Sequence, residues 1–485
     1  MPAGGGQSRC SGKGNVAHIY LSAAHMSSGK TLVSVGLAAA LGRRGMAVQP
    51  FKKGPDYIDP MWLSRAAGRP CYNLDFNTMD ADEIRSLFAA KMDGADIGLI
   101  EGNKGLYDGL DVEGGDCNAA LAKLTESPVV LVLNVEGITR GAAPLVLGYQ
   151  QFDPDVNIAG VILNSVVSTR QEEKVRAVLA HYTDVPVIGA VGRDPSLCIA
   201  ERHLGLTTPG DTDHRDRQVA RQADAIAAGV DLDTLIAIAE TAPTPLATPV
   251  VPALTRPDLT VAIARDAAFG FYYQDDLEAF AAAGAKPVFF DTMRDTVLPP
   301  CDGLFIGGGF PETHMAELED NHRLRCHIAR AIANGLPTYA ECGGLMYLCR
   351  TLTWHGARHT MVGAVAADAV MHERPQGRGL VRLEPTGAAP WPLAEEGAPM
   401  RAHEFHYAGL ENVGRDTVFA CRVARGHGID GANDGIVRGN LVAGFSHLRS
   451  TAANRWVERF VAFMRACKDA RQSAEAAEAV EEIAS

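Results

Sequence analysis

Two short stretches of this chain hold residues of the kinds that bind phosphate and attack carbonyls. The first is Ala24-His25-Met26-Ser27-Ser28-Gly29-Lys30-Thr31, which fits a phosphate-binding loop except that Ala24 stands where the first glycine usually lies. Such a loop needs backbone N–H groups bent around an anion, a helix N-terminus behind them, a lysine and a Mg²⁺-binding hydroxyl. Ser27, Ser28 and Gly29 would form the turn, Lys30 would supply the cation and Thr31 the hydroxyl, which makes this an ATP-binding expectation. The bland alternative is a chance small-residue turn. The second stretch is Thr338-Tyr339-Ala340-Glu341-Cys342-Gly343-Gly344. A cysteine between a strand and a helix is exposed on an elbow, and the helix N-terminus favours its thiolate. Most cysteines are inert core residues, but this one has company. The N–H of Gly343 and the glycine turn at Gly308 and Gly309 supply donors for an oxyanion hole. His447, at the end of a short apolar run, supplies a base. A third group usually orients such a histidine, but position 449 is arginine, so no third member is assigned from the sequence.

Two acidic clusters accompany the phosphate loop. Phe51-Lys52-Lys53-Gly54-Pro55-Asp56-Tyr57-Ile58-Asp59-Pro60 sets two acids three apart in a glycine/proline turn, and Glu101-Gly102-Asn103-Lys104-Gly105-Leu106-Tyr107-Asp108 sets acids at the end of an apolar strand. Ligands of open α/β sheets sit at strand carboxyl ends, where carboxylates help hold Mg²⁺ beside phosphates. The competing reading is that these acids only cap turns and helices.

The elements that must position these residues are legible as short Val/Ile/Leu-rich runs separated by helix-length segments: 16–24, 96–102, 128–135, 158–164 and 186–192, and again 259–266, 286–291, 303–309, 336–344 and 441–447. This is the pattern of parallel sheets with crossover helices. The expected fold class is α/β with two parallel-sheet domains: an N-terminal P-loop NTPase-like domain and, as a family resemblance implies, a C-terminal flavodoxin-like class I glutaminase domain. The expected boundaries are a flexible lead over 1–15, the ATP-dependent domain over 16–205, a helical segment and proline-rich linker over 206–258, the glutaminase domain over 259–465, and an Ala/Glu-rich tail over 466–485 that is a frayed helix or disordered.

A chain of 485 residues with 47% hydrophobic and 21% charged residues suits two or three globular domains. A net charge of −13 argues against nucleic acid as a partner, and no apolar run is long enough for a membrane span. Ten cysteines without CxxC pairs fit a reduced compartment. With no secretion signal in the first residues, the expected location is the cytoplasm. A homodimer is compatible with the sequence but not specified by it.

Taken together, SSGKT, FKKGPDYIDP, EGNKGLYDG, ARDAAFGFYY, IGGGFPE, AECGGLMYL and RAHEFHY resemble the cobyrinic acid a,c-diamide synthase family over residues 16–460. That family joins a domain similar to dethiobiotin synthetase to a class I glutaminase. The resemblance implies hydrolysis of glutamine through a thioester on Cys342, phosphorylation of a tetrapyrrole acetate by Mg-ATP, and displacement of phosphate by ammonia. It further implies Thr31, Asp56 and Glu101 as Mg²⁺ ligands, Lys30 and Lys52 as phosphate-neutralising cations, and Asp59 and Asp108 at the carboxylate-activating site. Lys53, the AAHMSSGKT loop, Phe290-Asp291 and Arg449 depart from the usual corrin-enzyme pattern. The wording of AAHMSSGKT and FKKGPDYIDPMWL resembles the sirohaem-amidating branch, so the expected substrate leans to sirohaem, with cobyrinate, hydrogenobyrinate and nickel-sirohydrochlorin as alternatives. Two readings of another class compete: a P-loop regulatory ATPase, which leaves AECGG idle, and a tetrapyrrole-binding protein without turnover.

Overall fold

The computed structural model describes residues 17–199, 201–202, 205–206, 212–245, 256–395 and 398–484. The expected flexible lead therefore lies outside the described residues. Seven parallel strands form the first sheet: β1 (Ala17–Ala23), β2 (Val48–Lys53), β3 (Tyr72–Leu74), β4 (Ile97–Glu101), β5 (Val129–Asn134), β6 (Ile158–Val166) and β7 (Val187–Gly192), in the order β3-β2-β4-β1-β5-β6-β7. β1 is buried along its whole length, as a central strand covered on both faces must be. Because all the strands run one way, their carboxyl ends share one edge. The phosphate loop leaves β1 there, Lys52 and Lys53 end β2, and Glu101 ends β4, paired in register with both Leu21 and Lys52.

The helices Thr212–Gly229 and Leu232–Ala239 follow. Ile226, Leu232, Leu235 and Ala239 pack into the same core as β1 and helix α1 (Lys30–Arg43). The described part of 206–245 thus belongs to the first domain. The proline-rich stretch expected as a linker falls largely on 246–255, outside the described residues.

The second sheet has nine strands. Five are parallel: Ala285–Phe290, Leu259–Ala264, Gly303–Ile306, Thr338–Glu341 and Leu441–Gly444, in that spatial order. These are the apolar runs of the sequence. Four antiparallel strands extend the sheet beyond them: Asn433–Arg438, Val418–Arg425, Gly377–Pro385 and Met400–His406. The buried strand Thr338–Glu341 carries no alternation, whereas Met400–His406 alternates between buried and more exposed positions, as a strand with one wetter face does. That weaker pattern hides the extension in the sequence. A helix from Trp456 to Ala484 runs on through the Ala/Glu-rich tail.

The two domains are docked. Lys91 pairs with Glu278 at 2.5 Å, Tyr72 Oη donates to the same carboxylate, and the Ala452 N–H donates to Glu83. Among the described residues no helix is long and apolar enough to cross a membrane.

Candidate active site

At the carboxyl edge of the first sheet, Gly29 has φ +91° and a Cβ there would lie 2.1 Å from Nδ2 of Asn164. Both facts demand glycine. Asn164, at the end of β6, donates to the Ser28 carbonyl and so fixes the loop from behind. Ser28 Oγ closes the turn on the His25 carbonyl, and Ser27 takes a left-handed φ of 60°. Lys30 Nζ donates to the Lys104 carbonyl at 2.5 Å. Burial, and then neighbouring Lys52, hold its ammonium down to about 8.

Lys52 is the hub of the acidic site. Its Nζ lies 2.5 Å from Asp59, 2.7 Å from Glu101 and 3.8 Å from Asp56. Thr31 Oγ1 donates to Glu101 at 3.0 Å and reaches Asp59 at 3.4 Å. One cation thus faces three carboxylates in a buried place. Burial disfavours the Lys52 charge, but the three acids outweigh it and raise its pKa well above the usual lysine value. Burial and the Asp59 charge push Asp56 up to about 7, against Lys52. Burial raises Glu101 despite Lys52, and its Oε2 is buried without a hydrogen-bond partner. Among the described residues no three His, Cys, Asp or Glu side chains are arranged to hold a metal ion by themselves. Mg²⁺, however, binds through one or two carboxylates and completes its shell with phosphate and water. An unpartnered buried carboxylate oxygen beside a threonine hydroxyl fits that chemistry. Asp108 stands apart from this cluster: its carboxylate accepts from the Gly105 N–H at 2.9 Å, closing a turn, and lies near enough to Lys30 to favour its charge.

In the second domain Cys342 stands between the strand Thr338–Glu341 and the helix Gly343–Leu348 with φ +49°, a conformation costly for a non-glycine residue and typical of a nucleophile elbow. Its N–H is held by the Gly444 carbonyl. A Cβ on Gly343 would sit 3.0 Å from the Gly309 nitrogen, so the two backbone donors expected for an oxyanion lie side by side. Gly309 itself has no room for a side chain, since a Cβ would be 1.9 Å from the Ala268 carbonyl oxygen. Gly308 lies under the histidine: a Cβ there would meet His447 Cε1 at 2.6 Å.

His447 is buried, and its main chain pairs with His403 through hydrogen bonds in both directions. Asp434 accepts the N–H groups of Phe445 and Ser446, just before it. Glu341 Oε2 lies 3.4 Å from His447 Nδ1, while its Oε1 accepts from the Tyr339 hydroxyl at 2.9 Å and from the Leu448 N–H at 2.8 Å. Burial opposes a charged imidazole here, but contact with Cys342 and the Glu341 carboxylate prevails and pushes its pKa up to about 10. His403 is the opposite case: burial, and then His447, push it down to about 3, so it stays neutral.

Two family models match the chain, one over each of the two sheets. Residues 26–205 match the CobQ/CobB/MinD/ParA nucleotide binding domain, and residues 260–455 match the CobB/CobQ-like glutamine amidotransferase domain. A cobyrinate a,c-diamide synthase of Magnetococcus marinus is 43% identical, with 93% of this chain and 97% of that protein covered. This chain belongs to the cobyrinate a,c-diamide synthase family. A cobyrinate a,c-diamide synthase of Methanosarcina acetivorans is 40% identical over 90% of this chain and 93% of its own, and one of Dehalococcoides mccartyi strain CBDB1 is 38% identical over 90% and 95%. Like the family, the chain is a glutamine-dependent amide ligase, which removes the regulatory-ATPase and binding-only readings.

The structure also brings forward residues absent from the sequence expectation. Glu341 is a carboxylate that faces His447, hidden in the sequence because it precedes the cysteine instead of following the histidine. Asn164 supports the phosphate loop from a distant strand. The RAHEFHY segment, in the sequence only a family marker, lies against the site: the His403 main chain pairs with that of His447, Glu404 accepts the N–H groups of His427 and Gly428, and the His406 ring stacks on Phe445 at 3.9 Å.

Proposed function

We propose that this ligase amidates the a and c acetates of an anionic tetrapyrrole through acyl phosphates, using ATP at the first-domain site and ammonia released at Cys342. The observation that carries the division of labour is the contrast between the sites. One is a buried lysine–carboxylate cluster beside a phosphate loop, and the other a Cys342–His447–Glu341 constellation beside glycine N–H groups. In the glutaminase half the Cys342 thiolate attacks the glutamine amide carbon. The oxyanion faces the N–H groups of Gly309 and Gly343, with Gly308 leaving room for the His447 ring. His447 gives its proton to the departing ammonia, leaving a thioester, then takes a proton from the water that releases glutamate. Glu341 holds the imidazole in place.

In the other half, Ser27, Ser28, Gly29 and Lys30 hold the ATP phosphates. Lys52 offsets charge, and Asp59, with Asp108 beyond it, lines the place where the substrate acetate meets the γ-phosphate. The acetate oxygen takes the phosphoryl group, ADP leaves, and ammonia then displaces phosphate. Thr31, Asp56 and Glu101 would hold Mg²⁺, which would neutralise the transferring phosphate. Phosphorylation is needed because a carboxylate is a poor acyl donor, and burial shields the acyl phosphate from water.

The relatives are named for cobyrinate, whereas the residues of AAHMSSGKT and FKKGPDYIDPMWL resemble the sirohaem-amidating branch. Mass spectrometry after incubation with ATP, Mg²⁺ and glutamine tests this, with sirohaem, cobyrinate, hydrogenobyrinate and nickel-sirohydrochlorin in separate tubes. Two amides added to one of them supports the reading and names the substrate; amides on none of the four reject it.

A further inference from the structure

The two reaction sites share one piece of chain. The turn from Gly54 to Asp59 carries Asp56 and Asp59 toward Lys52, while Tyr57, between them, faces the other domain. Tyr57 is buried. Its ring lies 5.0 Å from that of His447, 4.7 Å from Tyr273, and is stacked on Phe271 at 5.3 Å with 10° between planes. Phe310, next to the oxyanion glycine Gly309, completes this cluster. The Asp56 carboxylate accepts the N–H groups of Ile58 and Asp59, so the acid and the tyrosine are fixed in one rigid turn at the start of helix α2 (Ile58–Ala67).

A second tie closes the loop. Arg449, two residues after His447, has a fully buried side chain and donates to Asp275 at 2.7 Å. The same nitrogen donates across the domain boundary to the Asn73 carbonyl at 2.6 Å. Asn73 Nδ2 in turn donates to the carbonyls of Gly54 and Asp56, at 2.8 and 2.7 Å. The guanidinium also lies over the Tyr273 ring at 4.8 Å. His447 is therefore tied to the acidic turn by ring packing on one side and by the Arg449–Asn73 relay on the other.

We propose that the Gly54–Asp59 turn couples the two half-reactions, with Tyr57 and Arg449 as positioning residues that make the placement of His447 depend on what the acids of the turn hold. This rests on the glutamine-dependent amidation described above. Packed interiors do not absorb small shifts, so a displacement of the turn moves the Tyr57 ring and with it the imidazole. A misplacement of about 1 Å costs on the order of 10²-fold in rate, so a modest shift suffices to hold glutamine hydrolysis back until ATP and acceptor are bound.

The test measures glutamate release by the full chain with glutamine alone, with Mg-ATP, and with Mg-ATP plus cobyrinate or, in a parallel arm, sirohaem. Amide formed per glutamine hydrolysed is recorded, and ammonium-driven amidation is assayed alongside as the control for folding. Wild-type hydrolysis is expected to rise at least about fivefold when the acceptor site fills, the lower end of ordinary coupling between sites. In Tyr57→Leu and in Arg449→Lys the rise should fall below about twofold, with more than one glutamine hydrolysed per amide and ammonium-driven amidation preserved. Tyr57→Phe, which keeps the ring, should behave as wild type. Three results would overturn the proposal: no response of wild-type hydrolysis, an undiminished response in Tyr57→Leu and Arg449→Lys, or loss of ammonium-driven amidation in both variants. Failure of the amidation reading looks different, because wild type would then form no amide even from ammonium.

Discussion

Glu341, at the end of its strand, faces His447, three residues beyond the end of the neighbouring parallel strand Leu441–Gly444, with Oε2 3.4 Å from Nδ1. The carboxylate is immobilised through its other oxygen by Tyr339 and Leu448, so it presents a fixed negative charge to the imidazole. The contact falls short of a hydrogen bond, since Nδ1 has no hydrogen-bond partner. Catalytic hydrogen bonds often tighten only when substrate binds.

Replacing Glu341 with Gln should lower kcat/KM for glutamine by at least about tenfold, less than the roughly 10²-fold or more that the acid–base group itself contributes, because Glu341 acts through His447. Ammonium-driven amidation should persist, because the acidic cluster around Lys52 is untouched. A variant with undiminished glutaminase activity would remove Glu341 from the site.

The pH profile gives an independent reading. The folded-state value for His447, about 10, lies above its ordinary 6.5. The stability that this contact adds is present in full below pH 6.5 and is lost as pH rises toward and through 10. Glutaminase activity should accordingly decline on the alkaline side only as the imidazolium loses its proton near that value. In Glu341→Gln the carboxylate no longer supports the charge while burial still opposes it, so the alkaline limb should move to lower pH. A profile of wild-type shape in that variant would contradict the assignment.

Separation of the two chemistries is checked by two substitutions. Cys342→Ala should abolish amidation with glutamine and keep it with ammonium salts, because the nucleophile lies on a different sheet from the phosphate loop. Glu101→Gln should do the reverse. It removes one charge from the group around Lys52 and alters the oxygen pair beside Thr31, so ATP-dependent amidation should stop while basal glutamine hydrolysis continues. Loss of both activities in either folded variant would refute two chemically separate half-sites.

Residues that act through their chain neighbours are legible in the amino-acid sequence alone. Gly29-Lys30-Thr31 announce an anion loop because only glycine tolerates the φ of +91° that the turn requires, and Cys342 announces itself by the glycines after it. Residues that act across the fold are not legible in this way. Nothing near Glu341 in the chain points to His447, which becomes its neighbour only when two strands a hundred residues apart pair. Tyr57 reads as a filler between two acids until the second domain docks on it. Arg449 stands out in the sequence only as a departure without a role, because its partners, Asn73 and Asp275, lie far away in the chain. The family resemblance implies a place for Asp108 at the activating site, whereas the fold shows it closing its own turn on the Gly105 N–H, a duty the sequence does not reveal.

The phosphate loop offers a prediction in which stability and function part company. Gly29→Ala places a methyl group 2.1 Å from Nδ2 of Asn164 and forces φ +91° on a residue with a Cβ. The backbone term alone costs about 1–2 kcal/mol, and the clash must be relieved by moving Asn164 off the Ser28 carbonyl that it holds. Asn164→Ala removes the same hydrogen bond without strain, and should cost about 1 kcal/mol of stability. Both variants should weaken ATP binding, measured by calorimetry, because both release the loop from behind. Gly29→Ala should lower the unfolding midpoint further than Asn164→Ala does, because strain adds to the lost hydrogen bond, and combining the two should relieve part of its penalty, since the clashing amide is gone. A double variant whose loss equals the sum of the single losses would show that Asn164 and Gly29 act separately, against the contact between them.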